Sequence, residues 1–478
     1  MRYISTRGQV DAVEFQDAVM MGLADDGGLI IPEQIPDVRD RLEHWRGLEY
    51  AELAFEVMSL FATDIPADDL RRLVAQAYGD AFDGGVAPLA QIGPVHVLEL
   101  WHGPTLSFKD VALQMLGNLF EYVLDQRGGR LNILAATSGD TGSAAICGVR
   151  GRKGINIFVM HPAGRVSPIQ ERQMTSVLDA NVHNIAIDGS FDDCQRIMKT
   201  LAADLEFKRQ YCLGAVNSVN WARVMAQIVY YFSSSLAVTE QTRRPSVRFC
   251  VPTGNFGNIL AGWYAVQMGA PISQLVLATN ENDILARFFN SGEYSIDIGG
   301  VRQTLAPAMD IQVASNFERY LYYKVDRDPQ RLRELMTEFK HAGMLRIEPD
   351  APGQVDPLFE AAPAARADIL AAIRRCYERY GYTIDPHTAC GVSVVGSLVP
   401  VGAGGPGGAD QDEPTICIAT AHPAKFPAAI EEATGQDLPG AHHPTIDALA
   451  DLPTRCADLP NDPEAVRGFI REKVKEGS

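Results

Sequence analysis

The sequence predicts an α/β protein, with parallel, doubly wound sheets in two domains preceded by an N-terminal domain. Three observations predict it. From Val95 onward, short apolar runs (HVLEL, NILAAT and INIFVMH, later SVRFCVP, LVLATN and TICIAT) alternate with stretches of helical periodicity. The runs are apolar throughout, as expected for parallel strands covered on both faces by crossover helices. Two of them lead straight into glycine-rich turns that open helices, SGDTG and TGNFGN.

Taken in order, residues 11–23 place Phe15, Ala18, Val19, Gly22 and Leu23 on one helical face, with Asp11 and Glu14 in cap positions. Leu29 to Ile31, stopped by Pro32, reads as a short strand, and helical patterns fill much of 47–80 before the glycines at 84 and 85. Residues 1–94 are therefore expected to form the N-terminal domain. A smaller α/β domain is expected over 95–222, a larger one over 223–440, and a tail over 441–478. Residues 319–344 read as a charged helical insertion, 400–414 as a flexible surface loop, and the closing REKVKEGS as a solvated helix or frayed end.

Composition narrows the function classes. Forty-two basic against 60 acidic residues give a net charge of -18, which repels nucleic acid and anionic lipid surfaces. No apolar run is long enough for a membrane span, and the first 30 residues lack the segments of a signal peptide, so a cytoplasmic protein without membrane partners is expected. The eight cysteines are scattered with no C-x-x-C pair, and the ten histidines form no metal-ligand pattern. Neither a disulfide framework nor a metal site is expected.

One lysine stands out. Gly103 and Pro104 mark a turn, and helical spacing of apolar residues begins at Val111, so a helix is expected just after Phe108. Ser107 and Asp110 form a capping-box pattern that puts Lys109 in the first turn, at the positive end of the helix dipole. In the company of Trp101, Leu106 and Phe108, its charged form is disfavoured. A lysine that condenses with a carbonyl to form a Schiff base must be neutral, against an ordinary pKa of about 10.4. The alternative is a surface lysine beside a turn.

In TGNFGN, Gly254 and Gly257 let the backbone approach a ligand closely, and the following helix offers unpaired N–H groups. The loop lacks the lysine of a Walker A sequence and is not a G-x-G-x-x-G. It is either a phosphate cradle without side-chain charge or a packing turn. In SGDTG, the hydroxyls of Ser138 and Thr141 make a second candidate anion site, although Ser138 or Asp140 could serve only as a helix cap. Thr420 closes the strand TICIAT, where open α/β sheets place ligand contacts. The segment NSVNWARVMAQ brings Asn217, Ser218, Asn220, Arg223 and Gln227; Asn217 and Ser218 are caps or contacts, and Arg223 could clamp an anion in bidentate fashion. Together these features suggest a phosphorylated aldehyde cofactor at the lysine with an anionic substrate alongside.

The motifs SFKD, SGDTG, NSVNW, GNFGN and TAHPAKF, in this order and spacing, resemble the threonine synthases, pyridoxal-phosphate enzymes of fold type II, the tryptophan-synthase-β type. The likeness extends through MRYIST, ADDGGLIIPE, HPAGRVSPIQERQM, TNENDILARF, TLAPAMDIQVASNFER and DPHTACG, and the stretch from TLAPAMDI is similar to the long bacterial and fungal form. Carried over by position, the resemblance implies that Lys109 holds pyridoxal 5'-phosphate covalently. It implies that Gly254, Asn255, Phe256, Gly257 and Asn258 cradle its phosphate, that Thr420 faces its pyridine nitrogen, and that Asp140 lies near its phenolic oxygen. The short form has asparagine at that last position; two facing acceptors would need a shared proton. Ser138, Thr141, Asn217, Ser218 and Arg223 would hold substrate carboxylate and phosphate. The implied reaction turns O-phosphohomoserine and water into threonine and inorganic phosphate, in a monomer or small homo-oligomer. A phospho-lyase giving 2-oxobutyrate, another lyase or dehydratase of this fold, and a non-catalytic cofactor carrier are the alternatives.

Overall fold

A computed structural model describes residues 1–137, 139–214, 216–398 and 413–476. Ser138 and most of the expected loop at 400–414 lie outside the described residues.

Two parallel sheets form the frame. The larger runs in the order Phe359–Pro363, Ile272–Thr279, Val247–Pro252, Thr415–Ala419, Val95–Glu99 and Leu89–Ile92, with only the last strand antiparallel to its neighbour. The smaller runs Ala457–Pro460, Val182–Asp188, Ile155–Pro162, Leu131–Ala136 and Leu213–Gly214, all parallel. Val247–Pro252 and Thr415–Ala419 are buried at every residue, which is why their sequences do not alternate. Helices Lys109–Arg127, Asp140–Val149 and Trp221–Thr242 contribute to the main hydrophobic core shared with the N-terminal helices Tyr50–Ser59 and Ala67–Ala77. The first strand, Tyr3–Ser5, pairs antiparallel with Ile30–Pro32. Among the described residues no helix is long and apolar enough to cross a membrane.

The sheets divide the chain differently from the expected grouping. Val95–Glu99, expected with the smaller domain, hydrogen-bonds to Thr415–Ala419 within the larger sheet. Ala457–Pro460, expected in the tail, adds an edge strand to the smaller one. Both are pairings between distant stretches of chain, to which local periodicity is blind. Nor is the closing helix merely solvated: Pro463–Glu476 buries Val466 and Ile470 against Ile185, Cys194 and Phe158. Ile470→Ala should therefore destabilise the protein by about 2–5 kcal/mol, the usual effect of emptying a packed aliphatic site. A urea midpoint unchanged from wild type would return the helix to solvent.

Candidate active site

The larger sheet brings three sequence-distant segments to the C-terminal ends of three adjacent parallel strands, where open α/β sheets bind ligands. Val95–Glu99 leads to the turn before Lys109, Val247–Pro252 to the loop 253–258, and Thr415–Ala419 to Thr420. From the smaller sheet, Leu131–Ala136 leads to Asp140 and its neighbour Leu213–Gly214 to the segment before Arg223. The two sheets therefore meet over one set of loops.

Lys109 is the first residue of its helix and is buried. The expected capping box does not form. Asp110 turns instead to the backbone N–H and hydroxyl of Thr105, at 2.8 and 2.7 Å, and burial raises its carboxyl to about 6. Nζ of Lys109 lies 3.2 Å from Oδ2 of Asp140. Burial lowers the pKa of Lys109, Asp140 opposes that effect, and the charges of Lys425 and Arg223 reinforce it. For Asp140, burial favours the neutral acid, but Lys109 and then Lys425 outweigh it and hold the carboxyl well below its ordinary value. Asp140 thus stands between two lysine side chains, since Lys425 reaches its Oδ1 at 2.7 Å. Gln170 donates to the same oxygen at 2.8 Å.

Arg223, one turn into Trp221–Thr242, is 5 % exposed, yet its Nε and Nη1 have no hydrogen-bond partner among the described residues. Burial lowers its pKa to about 10, which leaves it a cation at neutral pH. A buried, charged guanidinium without partners is costly in a folded protein unless an anion completes it. Oδ1 of Asn217 is likewise buried and unpartnered, while the Ser218 hydroxyl meets that of Ser315 at 2.6 Å. Thr141 lies half-buried in the first turn of Asp140–Val149.

Loop 254–258 is held by its own sequence. Phe256 caps the helix Gly257–Met268 with a left-handed backbone, φ 63°, a conformation disfavoured for a bulky residue. Its ring is clamped among Phe289, Phe317, Tyr320 and Phe359, so the side chain faces the core and only its backbone faces the site. Asn258 is anchored through Oδ1 by the hydroxyls of Tyr230 and Tyr231, both at 2.8 Å, which leaves its buried Nδ2 unpartnered. Asn255 accepts through its carbonyl from the Asn316 side chain at 3.1 Å. A Cβ on Gly254 would meet the Ala308 carbonyl at 2.8 Å, and one on Gly257 would meet Nδ2 of Asn316 at 3.2 Å. Gly254 thus has no room for a side chain and Gly257 little, and the helix N-terminus and the free Asn258 amide suit a phosphate. Thr420 is buried, and its carbonyl accepts from the Phe108 N–H at 2.9 Å, which fixes it beside the lysine turn. The residues present fit a pyridoxal phosphate bound between Lys109, the 254–258 loop and Thr420.

Sequence reasoning missed three participants. Lys425 carried the same signal as Lys109, a lysine among apolar residues just beyond a buried strand. Gln170 carried none. Arg319, fully buried, donates to the carbonyls of Ile30 and Val219 and to Oδ1 of Asn316, which ties the N-terminal domain to both binding loops. It was concealed within a stretch that reads as a charged helical insertion.

Comparison with known proteins shows the family. Residues 2–78 match the model described as threonine synthase N terminus, 86–351 that of pyridoxal-phosphate dependent enzymes, and 388–470 that of threonine synthase, C-terminal. The threonine synthase of Pseudomonas aeruginosa is 45% identical, over 100% of this chain and 99% of that protein; that of Schizosaccharomyces pombe is 46% identical, over 90% and 88%. The crystal structure of pyridoxal-phosphate-bound threonine synthase from Brucella melitensis superposes with a TM-score of 0.91 at 43% identity, covering 99% of both chains.

The two loop glycines differ in what confronts them. Gly254→Ala drives a methyl into main chain, whereas Gly257→Ala meets a side-chain amide that can yield. Gly254→Ala should therefore weaken retention of pyridoxal phosphate at least tenfold, and Gly257→Ala less. Equal retention by wild type and the Gly254 variant after dialysis, read by cofactor absorbance, would show the loop is only a turn.

Proposed function

Because the chain belongs to the threonine synthase family, we propose that it converts O-phospho-L-homoserine and water into L-threonine and inorganic phosphate, with pyridoxal phosphate held on Lys109. The observation that carries the substrate assignment is Arg223: a buried cation with two unpartnered N–H donors beside the lysine calls for a second anion besides the cofactor phosphate. Bound pyridoxal phosphate supplies an electron sink that acidifies the substrate's α- and β-carbon hydrogens.

In this reading each residue has one task. Lys109, whose pKa is lowered by burial and its cationic neighbours, takes the proton from the α-carbon, gives it up before taking one from the β-carbon, and once phosphate has left returns a proton to the γ-carbon and one to the α-carbon. Gly254, Asn255, Phe256, Gly257 and Asn258 grip the cofactor phosphate through backbone N–H groups and the Asn258 amide, and Thr420 faces the pyridine nitrogen with a neutral hydroxyl. Arg223, Ser138, Thr141, Asn217 and Ser218 hold the substrate's carboxylate and phosphate. Phosphate leaving the γ-carbon stays clamped by Arg223 and Thr141, where it is an anionic base placed to activate the water that adds at the β-carbon. Closure of the two sheets' loops on each other excludes other water. The strongly acidic surface, net charge -18, and the scattered thiols support a cytoplasmic enzyme that binds neither nucleic acid nor membrane.

Two measurements test the reading. Borohydride reduction and peptide mapping should place the pyridoxyl group on Lys109; label on Lys153, Lys199 or Lys425 would overturn the assignment. Chromatography of the products from O-phosphohomoserine should give mainly threonine, and Arg223→Ala should lower kcat/KM by about 100-fold or more, as for removal of one partner of a buried ion contact. Mainly 2-oxobutyrate from wild type would replace the synthase reading with the lyase one and leave the cofactor contacts standing.

A further inference from the structure

The site holds a second buried lysine that the chemistry above does not use. Lys425 ends the short 3₁₀ turn Pro423–Lys425, just beyond the strand Thr415–Ala419, and its side chain is 0% exposed. Its Nζ lies 2.7 Å from Oδ1 of Asp140 and donates to the Thr105 carbonyl at 2.9 Å. Lys109 reaches the other carboxylate oxygen at 3.2 Å. Asp140 thus stands between two lysines, with the shorter contact on the side away from Lys109.

Resting on the reading of Lys109 as the cofactor lysine and proton carrier, we propose that Lys425 is a positioning residue: it is the standing counter-ion of Asp140, and by neutralising that carboxylate it releases Lys109 to exist as a neutral amine. The geometry explains why one is needed. A lone carboxylate 3.2 Å from Lys109 would favour the ammonium form, the opposite of what a nucleophile or base requires. Lys109 also has two lives in the reaction, joined to the cofactor and free, and each time its charge vanishes a buried Asp140 with no other cation would be left uncompensated, which is strongly unfavourable. Lys425 does not leave. The charges that act on Lys109 include those of Asp140, Lys425 and Arg223; Asp140 feels the two lysines and lies near the His387 ring, and the buried Asp110 carboxyl also feels Lys425. Of the two cations other than Lys109 itself that bear on Lys109, only Lys425 also contacts the carboxylate.

A purely structural role, anchoring the Thr105 carbonyl before the lysine turn, makes a different forecast, because it depends on a donor and not on charge. In full-length enzyme freed of cofactor, competitive acetylation of lysines across pH, read by peptide mass spectrometry, gives the titration of Lys109 directly. Lys425→Gln, which keeps a donor but loses the charge, should raise the apparent pKa of Lys109 by about one unit, a tenfold fall in neutral amine at a fixed pH below that value. The acid limb of the kcat/KM profile of the loaded variant should move up with it. Lys425→Arg should titrate like wild type. An unchanged Lys109 in folded Lys425→Gln, or an equal rise in both variants, overturns the proposal. Should Lys425→Gln not fold, Lys425→Met compared with Lys425→Arg decides: Lys109 must titrate higher in the Met variant, and equal values in the two refute the role. Failure here leaves the cofactor assignment untouched, since that rests on borohydride label at Lys109 in wild type.

Discussion

Three basic side chains are buried near one strongly ionised carboxylate: Lys109 and Lys425 contact Asp140, and the Arg223 guanidinium acts on Lys109. That imbalance is the constraint to which the rest of the site answers. Burying charge without compensation is costly, so a pocket with surplus positive charge is a poor place for water or an apolar ligand and a good one for dianions. It also accounts for the composition of the binding loops. Glycines, hydroxyls and amides at helix N-termini hold phosphate by backbone dipoles, which adds no further cation to a crowded interior. Filling the site relieves the imbalance, so ligand binding and fold stability are linked.

The loops are fixed from behind. Arg319 spends its donors on three acceptors from separate segments, and Asn316, which it orients, in turn holds the carbonyls of Ser218 and Asn255. Ser315 adds a hydroxyl bridge between the Ser218 and Asn255 side chains. The substrate-side loop and the phosphate loop are therefore spaced by one short helical start, and neither needs to reorganise when charge develops on the substrate, the arrangement that makes electrostatic stabilisation effective. The left-handed Phe256 belongs to the same design. Its aromatic surroundings offset a strained backbone that points amides into the site.

The elements that chemistry depends on locally were the legible ones. Lys109 could be placed because a turn, an apolar company and a helical period surround it, and GNFGN because a strand, two glycines and a helix follow in sequence. Arg223 stood out one turn into a helix whose start is unusually dense in polar residues. What was not legible depends on partners far along the chain. The assignment of Val95–Glu99 to the larger sheet rests on its pairing with Thr415–Ala419, and the choice of Asp110 for Thr105 over a cap rests on how the turn folds back. Lys425 shares the local features of Lys109, but its meaning lies in Asp140, which opens a helix that follows a strand of the other sheet.

The strand Ala457–Pro460 has a consequence for how the molecule is made. Until it emerges from the ribosome, Val182–Asp188 is an open edge of the smaller sheet, and the hydrophobic cluster beneath waits for Val466 and Ile470. Thr415–Ala419 likewise arrives late to the middle of the larger sheet, between Val247–Pro252 and Val95–Glu99. Each sheet therefore waits for a strand that follows most of the others in the chain, and nascent chains carry unpaired strand edges until then. Such edges are templates for pairing with other chains. The interval before the C-terminal segments dock is thus the period in which the protein most needs protection from its own copies, and low temperature or slow growth should favour recovery of folded enzyme.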